Sequence, residues 1–157
     1  MHTVAVLLHN VRSAHNVGSI FRTADAAGVE RIFLTGYTPT PRDRFGRTNK
    51  ELAKTALGAE QYLPWEYART PKTFLKKLKK EGSRVVGVEQ DVWAVNYRTY
   101  TATTPTVFIF GNEVRGLSRA LRGACDVLIE IPMRGKKESL NVSVAAGVIL
   151  FSCIPRQ

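Results

Sequence analysis

The chain has 157 residues, 44% hydrophobic and 23% charged, a balance that fits one globular domain with a single core and excludes extended disorder. Lysine and arginine number 23 against 13 acidic residues, for a formal charge of +10, so the surface suits a polyanionic partner, nucleic acid first.

Val4–Leu8 is a short β-branched and aliphatic run, as expected of a buried strand. It is too short to span a membrane and lacks the basic start of a signal peptide. Ala14–Ala27 has helical periodicity, with Val17, Ile20, Phe21 and Ala24 on one stripe and Gly28 as the stop. Arg31–Thr35 is a second strand, followed by a polar loop, Tyr37–Asn49, rich in proline and arginine. A short helix is expected over Lys50–Leu57, then a strand near Gln61–Leu63. Thr70–Glu81 is a helix with Pro71 at its first turn, and its run of Lys76, Lys77, Lys79 and Lys80 is a solvated face. Strands are expected at Val85–Val88, Thr106–Phe110 and Val127–Ile131, with a short helix from Leu117 to Leu121. Leu140–Ile154 closes the chain as a helix apolar on nearly every side, which must be covered by the core or by a second subunit. Strands alternating with helices predict an α/β fold, a mostly parallel sheet with helices on both faces, in one domain over 1–157. Cys125 and Cys153 lie far apart with no neighbour at metal-ligand spacing, as in a cytoplasmic protein with reduced thiols and no metal.

The segments that carry chemistry lie at strand ends, where α/β sheets place ligands. Asn16 and Arg22 sit on the first helix; taken alone, they serve equally well as a first-turn residue and a solvated charge. Gly111-Asn112-Glu113-Val114-Arg115-Gly116 is a glycine turn after a buried strand, a geometry that lets bare backbone approach a ligand. Ordinary turns use glycine too, but Glu113 places a charge where the strand ends. Ser139 is a plausible cap for the last helix, whereas Asn141 is a poor helix former whose amide needs partners.

Together these segments resemble the SpoU/TrmH family of RNA ribose methyltransferases, of the SPOUT class. Asn16, Gly18 and Arg22-Thr23-Ala24 are similar to its first motif, and Gly111–Leu117 to its second. Ile131-Pro132-Met133 with Ser139-Leu140-Asn141-Val142-Ser143 is similar to its third. Lys54-Thr55-Ala56-Leu57-Gly58-Ala59-Glu60 is similar to the family's linking segment, so the resemblance covers essentially the whole chain.

The resemblance implies a C-terminal trefoil knot, a topology that pattern alone would never suggest. It also implies a pocket for S-adenosylmethionine, with S-adenosylhomocysteine as product. Val88, Gly111, Asn112, Gly116, Ile131, Met133, Ser139 and Leu140 are the implied cofactor contacts. Small or aliphatic residues there leave the backbone open and give the adenine apolar walls. Arg22, Asn16, Glu113, Ser139 and Asn141 are the implied catalytic set, and methyl transfer to a ribose 2′-hydroxyl the implied reaction. A guanidinium gives up its proton only at great cost, so Arg22 would orient the hydroxyl and stabilise charge developing on it. Glu113 would hold Arg22 by a charge-assisted hydrogen bond.

The resemblance further implies a homodimer in which the first motif of one subunit approaches the pocket of the other. RNA contacts are expected at Arg12, Arg42, Arg44, Arg47, Lys50 and Lys54. No additional RNA-binding domain is expected, and that expectation favours an accessible target such as a tRNA loop over a buried rRNA site. Two other readings stand beside this one: a related knotted enzyme acting on a base nitrogen, and a non-catalytic RNA-binding protein with the same fold.

Overall fold

A computed structural model describes residues 2–156. Its strands are β1 (Val4–His9), β2 (Arg31–Thr35), β3 (Trp65–Ala68), β4 (Arg84–Val88), β5 (Val95–Asn96), β6 (Thr106–Phe110) and β7 (Val127–Glu130). They form one seven-stranded sheet in the order β3-β2-β1-β6-β4-β7-β5, and every ladder is parallel. The helices are α1 (Ala14–Ala26), α2 (Lys50–Ala56), α3 (Ala59–Tyr62), α4 (Pro71–Lys80), α5 (Arg119–Ala124) and α6 (Val142–Cys153).

A parallel sheet needs crossovers, and the crossovers cover both faces. Alternate residues of the strands divide the core accordingly. Val6 and Leu8, with Ile32, Leu34 and Phe108, pack under α1, α2, α3 and α6. Leu7, Phe33, Val85, Val107 and Ile109 face the other way, under Leu75 and Leu78 of α4 and Leu121 of α5. The lysines of α4 stay at the surface, where Lys77 pairs with Glu81 and Lys79 with Asp126. Both cysteines are free, and burial pushes their thiols up to about 11. Among the described residues no helix is long and apolar enough to cross a membrane.

Three local features differ from expectation. Gln61–Leu63 is not a strand: Leu57 and Gly58 adopt left-handed backbone, the chain re-enters a helical turn at Ala59, and Leu63-Pro64 ends it before β3 begins at Trp65. β5, two exposed residues long, carries no burial pattern to read. Asn141, not Ser139, caps the last helix, its side-chain oxygen accepting the Ser143 and Val144 N–H groups at 2.9 and 3.4 Å.

β7 lies between β4 and β5 in the sheet, although in the chain it follows the whole stretch that leads from β4 to β6. That stretch then passes the end of α6, where the Ala102 N–H donates to the Cys153 carbonyl at 2.8 Å. The expected all-round cover of α6 is incomplete within one chain. Val142, Ala146, Ile149, Leu150 and Cys153 are buried, but Val144 and Phe151 remain 52% and 60% exposed.

Candidate active site

The carboxyl ends of β4, β6 and β7 converge on one open cleft. Val88, Gly111, Asn112 and Gly116 line it, as do Ile131, Met133, Ser139 and Leu140, so all the expected cofactor contacts come together. Phe110, Val142 and Ala145 add apolar wall. Glu89, Glu113 and Glu130 add carboxylates, which favour a ligand bearing positive charge.

The glycine turn is shaped by close backbone approach. A β-carbon on Gly111 would stand 2.5 Å from the Gly116 carbonyl carbon and 2.7 Å from the Leu117 nitrogen, where no side chain fits. Asn112 folds the turn: its side-chain oxygen accepts the Val114 and Arg115 N–H groups at 2.9 Å, and its carbonyl accepts Gly116 N–H at 2.8 Å. Gly116 has φ +64°, and a β-carbon there would run into the Glu89 carboxylate. Glu89 accepts the Leu117 N–H at 2.6 Å and so ties the end of β4 to the turn after β6. Glu89 belongs to none of the three motifs. Its signal was an acid directly after a buried strand, the same signal that drew notice to Glu113.

Glu113 carries the second set of contacts. Its carboxylate accepts the Arg12 and Ser13 N–H groups, each at 2.9 Å, and the Asn16 side-chain amide at 3.2 Å. The Asn16 oxygen in turn accepts the Asn141 amide at 3.2 Å. Glu113, Asn16 and Asn141 therefore form one hydrogen-bonded chain that joins all three motifs. Burial pushes the Glu113 carboxyl up, but the backbone N–H groups of Arg12, Ser13 and Glu113 itself, with the Asn16 amide, outweigh it and hold it below the ordinary carboxylate value. A depressed folded-state pKa contributes stability above the ordinary carboxylate range and loses it as pH falls through the folded value. Glu113→Gln, with one acceptor oxygen for two backbone donors, is expected to lose about 1–2 kcal/mol at neutral pH. Its stability should also fall less steeply on acidification than the wild type's; identical acid-unfolding profiles would contradict this role.

Arg22 is not held by Glu113. Six residues beyond Asn16, it stands about 240° further round the helix and ~9 Å along it. It is exposed and lines a separate groove with Ser19, Thr23, Lys54 and Phe151. Ser139 sits at the cleft, exposed. The expected RNA-contact residues are distributed over the segment before α1, the loop after β2 and helix α2. Arg12 lines a hollow with Tyr37 and Arg115, whereas Lys54 lines the Arg22 groove and pairs with Glu51 at 3.0 Å. Arg42, Arg44 and Arg47 lie in the loop after β2, and Lys50 opens α2. Arg47 is committed to the loop's own structure, paired with Asp43 at 2.7 Å, and both Arg44 and Arg47 lie over the Phe45 ring.

A model of the SpoU rRNA Methylase family matches residues 3–151. The 23S rRNA (guanosine-2′-O-)-methyltransferase RlmB of Ralstonia nicotianae is 35% identical over 153 residues, 95% of this chain and 57% of that protein. The chain thus spans little more than half the length of the curated relatives it matches. The crystal structure of the TrmH/SpoU tRNA modifying enzyme of A. aeolicus superposes with a TM-score of 0.84 at 32% identity, covering 97% of this chain and 74% of that one. That of the AdoMet-bound rRNA methyltransferase from Sinorhizobium meliloti gives 0.86 at 33% identity, over 97% and 57%.

Proposed function

The chain belongs to the SpoU rRNA Methylase family, and on that premise we propose that it transfers a methyl group from S-adenosylmethionine to a ribose 2′-hydroxyl of RNA. The observation that carries this is the convergence of the cofactor residues on one cleft, whose lining residue Glu113 is bonded to Asn16 and, through it, to Asn141. The cleft fits the cofactor. Apolar walls at the strand ends suit an adenine, and its carboxylates suit a sulfonium.

When bound, S-adenosylmethionine supplies an electrophilic methyl group, so the protein has to align the acceptor and manage one proton. Glu113 fixes the start of α1 against the glycine turn, and Asn16 and Asn141 hold α1 to α6 at the cleft. Arg22 orients the ribose hydroxyl and stabilises its developing charge; an RNA phosphate or water takes the proton. Since Arg22 faces away from its own cleft, we assign it to the cleft of a second copy. Exposed Phe151 lines the same groove as Arg22, and exposed Val144 lies on the same helix as Phe151, which supports a homodimer built on α1 and α6.

The RNA is tRNA or rRNA. The tRNA preference drawn from the sequence has the A. aeolicus enzyme's name on its side, and the RlmB relative weighs toward rRNA. Residues 1–157 act as one SPOUT domain, supported by the single sheet. The trefoil threading is supported by the place of β7 between β4 and β5. A cytoplasmic setting is consistent with the two free thiols.

The test is to titrate S-adenosylmethionine calorimetrically, then incubate the protein with labelled cofactor and total RNA and size the product. One cofactor per chain and label in a discrete RNA species are expected. Cofactor binding without incorporation into RNA would sink the activity.

A further inference from the structure

The glycine turn has two sides. One faces the cofactor cleft; the other faces a hollow lined by Arg12, Tyr37 and Arg115. Asn112, Glu113 and Val114 belong to both linings, so a single layer of side chains separates the two spaces.

Tyr37 is held at both ends. Its N–H donates to the Asn10 side-chain oxygen at 3.0 Å, and its hydroxyl accepts the Asn112 amide at 3.0 Å. The same Asn112 amide donates to the Asn10 carbonyl at 3.0 Å, which ties the ring to the glycine turn through two residues. The residue is nonetheless 58% exposed. A fixed, exposed aromatic face loses little freedom when something stacks on it. Guanidiniums beside such a face complete the chemistry that recognises an unpaired nucleotide, with the base on the ring and phosphates on the cations.

We propose that this hollow is the acceptor-nucleotide subsite. An unpaired nucleotide of the RNA stacks its base on Tyr37 and sets its flanking phosphates on Arg12 and Arg115. Its ribose is then carried to the edge of the wall shared with the cofactor cleft. This rests on the methyl-transfer function proposed above, because the shared wall matters only if the neighbouring cleft holds the methyl donor. A duplex cannot offer a free base face, so the subsite selects loops, bulges or extruded nucleotides.

Two substitutions separate stacking from a structural role. Tyr37→Leu keeps apolar bulk but removes the π-face; Tyr37→Phe keeps the face but loses the bond to Asn112. Tyr37→Leu is expected to raise the KM for RNA on the order of 10- to 100-fold, with kcat and the Kd for S-adenosylmethionine unchanged. Tyr37→Phe should stay within about threefold of wild type, a much smaller loss than removing the stacking face. In fluorescence anisotropy, the wild type should prefer a single-stranded RNA oligonucleotide over the same sequence in a duplex, and Tyr37→Leu should lose that preference. The opposite ranking, with the phenylalanine variant impaired and cofactor affinity altered in both, would assign Tyr37 to holding the turn and overturn the subsite. Wild-type RNA KM in Tyr37→Leu would overturn it as well. Wild-type cofactor titration and RNA labelling distinguish the failures: a wild-type protein that does not bind S-adenosylmethionine or does not methylate RNA sinks the proposed function and the subsite with it, whereas intact binding and labelling confine the failure to the subsite.

Discussion

Arg22→Ala is expected to lower kcat for RNA methylation by about 10²- to 10³-fold, the usual cost of removing a donor that stabilises charge in a transition state. Its Kd for S-adenosylmethionine should be unchanged, because the role assigned to Arg22 is on the ribose hydroxyl and not on the cofactor. The place of Arg22 outside the cleft of its own chain makes a stronger demand. If Arg22 serves a second copy, an Arg22→Ala subunit still has a sound cleft, and a subunit with a ruined cleft still has a sound arginine. Mixing Arg22→Ala with Gly111→Ala, at a cofactor concentration too low to fill the altered cleft, should therefore restore activity. Each mixed dimer holds one intact composite site, so random exchange recovers about a quarter of wild-type turnover. Mixed dimers that exchange subunits and remain inactive would return Arg22 to its own chain and remove its assignment.

Gly111→Ala is the second large effect. The added methyl meets backbone of Gly116 and Leu117, not the end of a flexible side chain, so the turn itself has to move. Overpacking of this kind costs about 1–3 kcal/mol. Here the displaced atoms are the wall of the cleft and the support of Asn112, whose side chain folds the turn. Cofactor affinity should fall on the order of 10- to 100-fold, as the same energy converted to binding, while the far-UV circular dichroism of the sheet and helices is retained. Wild-type affinity in Gly111→Ala would show that the turn does not shape the cofactor site. Gly18 is a useful contrast: it too lacks room for a β-carbon, but against Leu52 and Thr55 of α2, so its replacement should affect stability before affinity.

What could be read from the sequence follows from where the information is local. Helix α1 announced itself through Val17, Ile20, Phe21 and Ala24, and all four are buried. β6, buried at every residue, was equally plain. β3 begins at Trp65 and not near Gln61–Leu63, because the left-handed pair Leu57-Gly58 returns the chain to a helical turn first. Strand β5 exists through its partner β7, a contact made across the fold and invisible in a two-residue segment.

The site divides along the same line. The cofactor residues were legible because each belongs to a short motif at a strand end, and the parallel sheet brings such ends to one edge. The partner of Glu113 was not legible. Charge complementarity pointed to Arg22, yet the carboxylate is satisfied by backbone N–H groups and an amide, donors that sequence spacing does not display. Asn141 met its expected need for partners, capping α6 with its oxygen and reaching Asn16 with its nitrogen. Tyr37 carried no motif at all, and its position beside the glycine turn comes entirely from the pairing of β2 with β1 and β1 with β6.

The position of the transferred methyl group separates ribose methylation from base methylation. The direct measurement is to label RNA with the wild-type protein and S-adenosylmethionine carrying a labelled methyl, digest to completion with a nuclease that requires a free 2′-hydroxyl, and separate the products. A labelled dinucleotide that resists cleavage, yielding a 2′-O-methylnucleoside on further digestion, is the predicted result. Label recovered in a single mononucleotide with the methyl on its base would contradict the account.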